Sequence, residues 1–134
     1  MALPISPADP EKETNMRVID FKDDVTIAKR RLADLPDRVV EGDPHHETQM
    51  RFKSPDGTML AGTWTSTPGK WIAFADRDEF CVLLSGHIKL IGEDGVEQEF
   101  RAGDSFLIPN GFRGYWHVLE TTTKHFVIRD YTAD

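Results

Sequence analysis

The sequence predicts an all-β protein, a sandwich or barrel built from short strands. Three observations predict it. Turn signals recur every several residues beyond Val39: Gly42-Asp43-Pro44, Pro55-Asp56-Gly57, Pro68-Gly69, Ser85-Gly86, Glu93-Asp94-Gly95, Ala102-Gly103-Asp104 and Pro109-Asn110-Gly111. Between them lie short runs rich in aromatic and β-branched residues, the types that fit a pleated, half-buried surface. Those runs carry no long helical period.

In chain order, residues 1–15 contain three prolines and several charges and have little to bury, which reads as a loose arm. Arg17-Val18-Ile19-Asp20-Phe21 reads as a short strand-like piece. A short helix is expected next. Asp23 or Asp24 is placed to cap it, Val25, Ala28 and Leu32 fall at i, i+3 and i+7 on one face, and Pro36 ends it. Residues 1–38 are thus read as an N-terminal arm with a strand and a helix, and residues 39–134 as the barrel. The strand runs of the barrel are Met59–Thr67, Trp71–Phe74, Phe80–Leu84, His87–Ile91, Glu97–Arg101, Ser105–Ile108, Gly114–Leu119 and His125–Ile128. Glu93-Asp94-Gly95 between two of them is a hairpin signal. No internal repeat or low-complexity segment is visible.

Composition narrows the class. The 134 residues suit one domain, and the 39% apolar and 29% charged content is that of an ordinary soluble protein. A net charge of −7 and a pI near 5.2 disfavour nucleic acid and anionic membranes as partners. No apolar run is long enough to span a bilayer, and the opening residues have neither a basic nor an apolar leader region. Cys81 is the single cysteine, so no intrachain disulfide can form, and a reducing cytoplasm is the expected location.

A family resemblance emerges from the spacing of these signals. The runs Gly62-Thr63-Trp64…Pro68-Gly69, Asp78-Glu79-Phe80…Ser85-Gly86 and Gly103-Asp104…Pro109-Asn110-Gly111 resemble the two motifs of the cupins. The ending Gly111-Phe112-Arg113-Gly114-Tyr115-Trp116-His117-Val118 with Lys124-His125 is similar to the ureidoglycine aminohydrolase-like and ethanolamine-utilisation cupins. The resemblance spans roughly residues 40–130. It implies a double-stranded β-helix, the jelly-roll barrel, and a homodimer.

The resemblance also implies a metal held by three histidines and a glutamate, and here the sequence departs from it. Only the glutamate remains, as Glu79. The paired histidines would fall within Phe74-Ala75-Asp76-Arg77, and the last at Gly114. One carboxylate without imidazole partners is a poor transition-metal site, so the standard metal is not expected. A divalent ion held by Glu79 alone is left open, and no cofactor can be named. The five histidines do not rebuild the site. His45 and His46 are read as part of a polar loop before the barrel, His87 as a half-exposed strand residue, and His117 as facing away from the Gly114 and Trp116 side. His125 and Lys124 have opposite parity, so one of the two is expected to face the pocket.

Alternation from Glu79 carries Cys81 and Leu83 onto the inner face. By resemblance, Trp116 and Lys124 join them, and Arg113 sits at the barrel mouth. Glu79 and Lys124 are the candidate catalytic pair, able to bond as ions or to exchange a proton. Trp116, Tyr115, Arg113 and Cys81 are the candidate ligand-binding residues. Each also has a plainer reading: Glu79 as a partner of Arg77 or Lys124, Cys81 and the tryptophans as core, Lys124 and Arg113 as surface. Two functions stay open. One is a barrel that binds a small polar metabolite. The other is an enzyme acting on a ureide, amide or amine.

Overall fold

The computed structural model describes residues 17–132. Nine strands follow in order: β1 (Ile27–Arg31), β2 (Val39–Gly42), β3 (His45–Lys53), β4 (Met59–Ser66), β5 (Gly69–Ile72), β6 (Arg77–Gly92), β7 (Glu97–Arg101), β8 (Ser105–Ile108) and β9 (Gly114–Asp130). All pairings are antiparallel. The two long strands organise the rest. The first half of β9 pairs with β5, the second half with β4, and β6 runs beside it throughout. The ladder β1-β3-β4-β9-β6-β8 therefore faces the ladder β2-β5-β9-β6-β7 across an interior that both share. This is the double-stranded β-helix of a jelly roll.

The bend that lets β6 serve both sheets lies at Gly86. Its backbone sits at φ +102, and a Cβ there would overlap the Thr122 hydroxyl. Register shifts cluster between Leu83 and Ile88, and the inward phase moves from Glu79, Cys81 and Leu83 to Ile88 and Leu90. This phase change is why the sequence reads as two runs, Phe80–Leu84 and His87–Ile91. In β9 the same parity faces inward on both sides of an exposed Glu120: Trp116 and Val118 before it, and Thr122, Lys124, Phe126 and Ile128 after it, are all buried. The run Thr121-Thr122-Thr123 is polar but β-branched, and it carries the strand through what reads as a gap. The hairpin at Glu93-Asp94-Gly95 forms as expected, with Gly95 at φ +84 and the Gly92 N–H bonded to the Val96 carbonyl.

The N-terminal expectations are corrected. Ile27–Arg31 is a strand, not a helix, because β3 takes its backbone groups from Ile27↔Gln49 to Arg31↔His45. The helical stripe also fails as a core face. Leu32 is fully buried, but Ala28 is exposed. A single 3-10 turn, Leu32–Asp34, is the only helical element among the described residues. Arg17–Phe21 is irregular rather than strand. Phe21 instead lies edge-on to His125 at 4.9 Å, on the outside of the sheet. The residues read as the loose arm, 1–15, lie outside the described residues. Among the described residues no helix is long and apolar enough to cross a membrane.

Candidate functional site

Residues from both ladders bound one cavity of about 450 Å³ between the sheets. Its wall takes His46 and Thr48 from β3, Trp64 from β4, Trp71 from β5, Glu79 from β6, and Trp116 and Lys124 from β9. Arg30 and Ala28 from β1 close one side. The positions follow from strand parity. Trp64 lies opposite Lys124 in the β4–β9 register, and Trp71 opposite Trp116 in the β5–β9 register.

At the wall, Lys124 Nζ donates to Glu79 Oε2 at 2.5 Å. Both side chains are buried, 5% and 10% exposed. The Cys81 thiol donates to the same carboxylate oxygen at 3.4 Å. The ammonium also lies 4.3 Å from the Trp64 ring centre and 4.2 Å from that of Trp116. An indole face is negative, so the two rings partly replace the water that the cation has lost. Burial opposes the charge on Lys124, the Glu79 carboxylate bonded to it favours that charge, and its pKa stands above the ordinary lysine value. Lys124 is therefore a fixed cation and not a base at neutral pH. Burial pushes the Cys81 thiol well above its usual range, so Cys81 is a neutral thiol and not a nucleophile.

The aromatic wall is continuous. The Trp71 and Trp116 rings are parallel within 5° at 6.1 Å, and Trp64 sits 5.6 Å from Trp116. His46 packs against Trp64 at 5.0 Å and Trp71 at 4.9 Å. It is 5% exposed, and its buried Nε2 has no hydrogen-bond partner among the described residues.

Of the residues singled out from sequence, Glu79, Lys124 and Trp116 come together on this wall, and Cys81 lies directly behind Glu79. Tyr115 and Arg113 do not join them. Tyr115 points to the other side of β9, where Lys70 lies 5.1 Å from its ring centre. Arg113 is exposed in a separate depression beside Glu93, Asp94 and Phe112. His87 bonds Glu99 at 2.6 Å, His117 stands 3.5 Å from Glu41, and His125 shares a hydrogen bond with Thr63 at 3.0 Å, so all three serve the outer surface.

His46 is the residue that sequence reasoning missed. The sequence places it in a polar loop, yet it is the second residue of β3 and faces the cavity. The available signal was parity, since His46, Thr48 and Met50 share one face of a nine-residue strand that starts just after Pro44. Burial, then the cations Arg30, Lys124 and His45, push the His46 pKa down to about 4. A histidine held neutral in the fold but free to charge when unfolded weakens the fold as pH falls. The loss begins near pH 6.5, the ordinary value, and is complete below about pH 4. It amounts to about 3 kcal/mol at about 1.4 kcal/mol per pKa unit. Chemical denaturation from pH 7 to pH 4 is expected to show this fall in wild type and a shallower one in His46→Phe. Identical slopes would remove the assignment.

The donor set does not fit a divalent metal. The one inward carboxylate already holds the Lys124 ammonium, and among the described residues no three His, Cys, Asp or Glu side chains gather at metal-binding spacing. The Gly114 position, where the resemblance puts the last histidine, gives a steric reason as well. A Cβ there would overlap the Ile91 carbonyl oxygen of the neighbouring strand.

A jelly-roll barrel with a pocket between its sheets defines the class: this is a cupin. The sequence matches the family profile of the EutQ-like cupin domain over residues 53–126, more than half of the chain, and the protein belongs to that family. Solved structures resemble it in fold. A protein of the DUF861 family from Pseudomonas syringae pv. tomato superposes with a TM-score of 0.70 at 20% identity, covering 82% of this chain and 46% of its own. The present chain thus spans about half the length of that relative. The EutQ protein of Clostridium difficile matches at TM-score 0.59 and 15% identity, over 81% of this chain and 98% of its own. A putative ethanolamine utilization protein Q from Salmonella typhimurium matches at 0.57 and 21%, over 66% and 71%. No match was found among curated proteins.

Proposed function

We propose that the protein binds a small polar metabolite in the cavity between its sheets. The observation that supports this most is the buried Glu79–Lys124 pair set in the wall of a roughly 450 Å³ cavity bounded by three indoles. The volume suits a small molecule, and the wall has the usual make-up of a ligand site, apolar and aromatic with a few fixed polar groups. Trp116 supplies a flat contact surface, and Lys124 and Glu79 orient the ligand. The reading takes the protein as cytoplasmic, on its acidic composition and single buried cysteine.

The test is a thermal-shift screen of small polar metabolites. A ligand present at about a hundred times its dissociation constant stabilises the fold by about 2.7 kcal/mol, enough for a clear shift. A compound that raises the Tm of wild type and not of Trp116→Leu supports the reading. A screen without a hit, or hits unchanged in Trp116→Leu, would sink it.

Catalysis on a ureide, amide or amine is the second reading. It is favoured by Glu79, which reaches the cavity surface while held by a fixed cation. Glu79 would act as the base, Lys124 as its electrostatic partner. Turnover of a screened ligand that disappears in Glu79→Gln while binding persists would favour it; turnover that survives would exclude Glu79 as the base. A homodimer is proposed from the family likeness, and a monomer at micromolar concentration in light scattering would refute it.

A further inference from the structure

Two polar groups of the cavity contribute nothing visible to holding the barrel together. His46 Nε2 is buried and unpartnered, on a side chain 5% exposed, which is costly unless something else satisfies it. Arg30 lies opposite His46 in the β1–β3 register and is close enough to disfavour a proton on it. Among the described residues Arg30 has no carboxylate at ion-pair distance, and neither does Lys29 beside it. Arg77, by contrast, is held by Asp76 at 3.2 Å.

The charge of the lining points the same way. The protein as a whole carries −7, yet among the described residues its cavity is lined by Lys29, Arg30, Arg77 and Lys124 against one carboxylate, that of Glu79. That carboxylate is already taken by Lys124, so among the described residues a cationic ligand would find no free anion there. A concave, low-dielectric site lined by one sign of charge concentrates the opposite sign.

We infer that the ligand is a small organic acid, a carboxylate on an apolar body, whose anionic end meets Arg30 and which offers a polar atom to His46 Nε2. The apolar body lies on the Trp71 and Trp116 wall. The inference rests on the cavity being a ligand site, and it specifies the ligand's charge. An arginine matches a carboxylate with two parallel N–H donors, which suits the exposed rim.

All three tryptophans of the chain line this cavity, so intrinsic fluorescence reports on it alone. The probes are benzoate, its neutral analogue benzamide, and cationic benzylamine, similar in shape and different in charge. Benzoate is expected to give a saturable change, with a dissociation constant at least about tenfold below that of benzamide, and benzylamine none over the same range. Arg30→Met, at an exposed position, is expected to weaken benzoate at least about tenfold without lowering the Tm. His46→Phe keeps an aromatic ring but removes the ring nitrogen, and is expected to weaken it several-fold. Equal binding of benzamide or benzylamine, or benzoate binding unmoved by Arg30→Met, overturns the acid proposal and leaves the ligand site standing. No saturable change with benzoate also overturns it. If the metabolite screen is empty too, the reading beneath it falls as well.

Discussion

Replacing Lys124 by Met is expected to cost about 3–5 kcal/mol of stability, measured by urea denaturation at pH 7. The substitution leaves Glu79 buried, with the weak Cys81 S–H donor and no cation. Glu79→Gln is expected to cost about 1 kcal/mol less than Lys124→Met, because the stranded ammonium keeps the faces of Trp64 and Trp116. The double variant Glu79→Gln/Lys124→Met buries no charge and should recover most of the loss. A double variant as unstable as the two losses added together would show that the residues are not coupled, and the account of the cavity wall would fail.

The second large effect is expected at Gly114. If the absent metal reflected a simple exchange of one side chain, Gly114→His would begin to restore it. The backbone says otherwise. Any Cβ at 114 overlaps the Ile91 carbonyl oxygen, so β9 must shift away from β6 where Gly92 and Gly114 pair. Gly114→His is expected to lose more than about 3 kcal/mol by thermal or chemical denaturation and to gain no stoichiometric zinc by elemental analysis. Gly114→Ala should fall in the same direction. A stable Gly114→His protein that retains zinc through dialysis would contradict both the steric argument and the reading of the site as one without a metal.

How much of this was legible in the sequence depended on what each residue faces. Glu97–Arg101 and Ser105–Ile108 emerge with the expected bounds because turn residues flank them on both sides. Glu79, Lys124 and Trp116 could be placed on one wall by parity and resemblance. The strand β3 has no strand signature in sequence because its first five residues, His45-His46-Glu47-Thr48-Gln49, are polar on both faces. One of those faces meets water and the other supplies polar groups to the cavity, so neither carries a continuous apolar signature. The same cause hid His46. The helix expected from Asp23 onward failed differently. Its pattern was local, and the hydrogen bonds of β3, distant in sequence, decided the backbone. Arg113 and Tyr115 adjoin Gly114 and Trp116, and a single residue of offset sends a side chain to the opposite face of a strand.

The long pairing of β6 with β9 has a kinetic consequence. It joins Arg77 to Asp130 and Gly92 to Gly114, contacts between segments far apart in the chain. Such closures are slow, because chain entropy is spent before the contacts reward it. Glu79 and Lys124 lie on these two strands, so the pair depends on this long-range pairing. Amide exchange at Lys124 and its neighbours should then proceed only through global opening, and the pocket has no means of melting alone while the barrel persists.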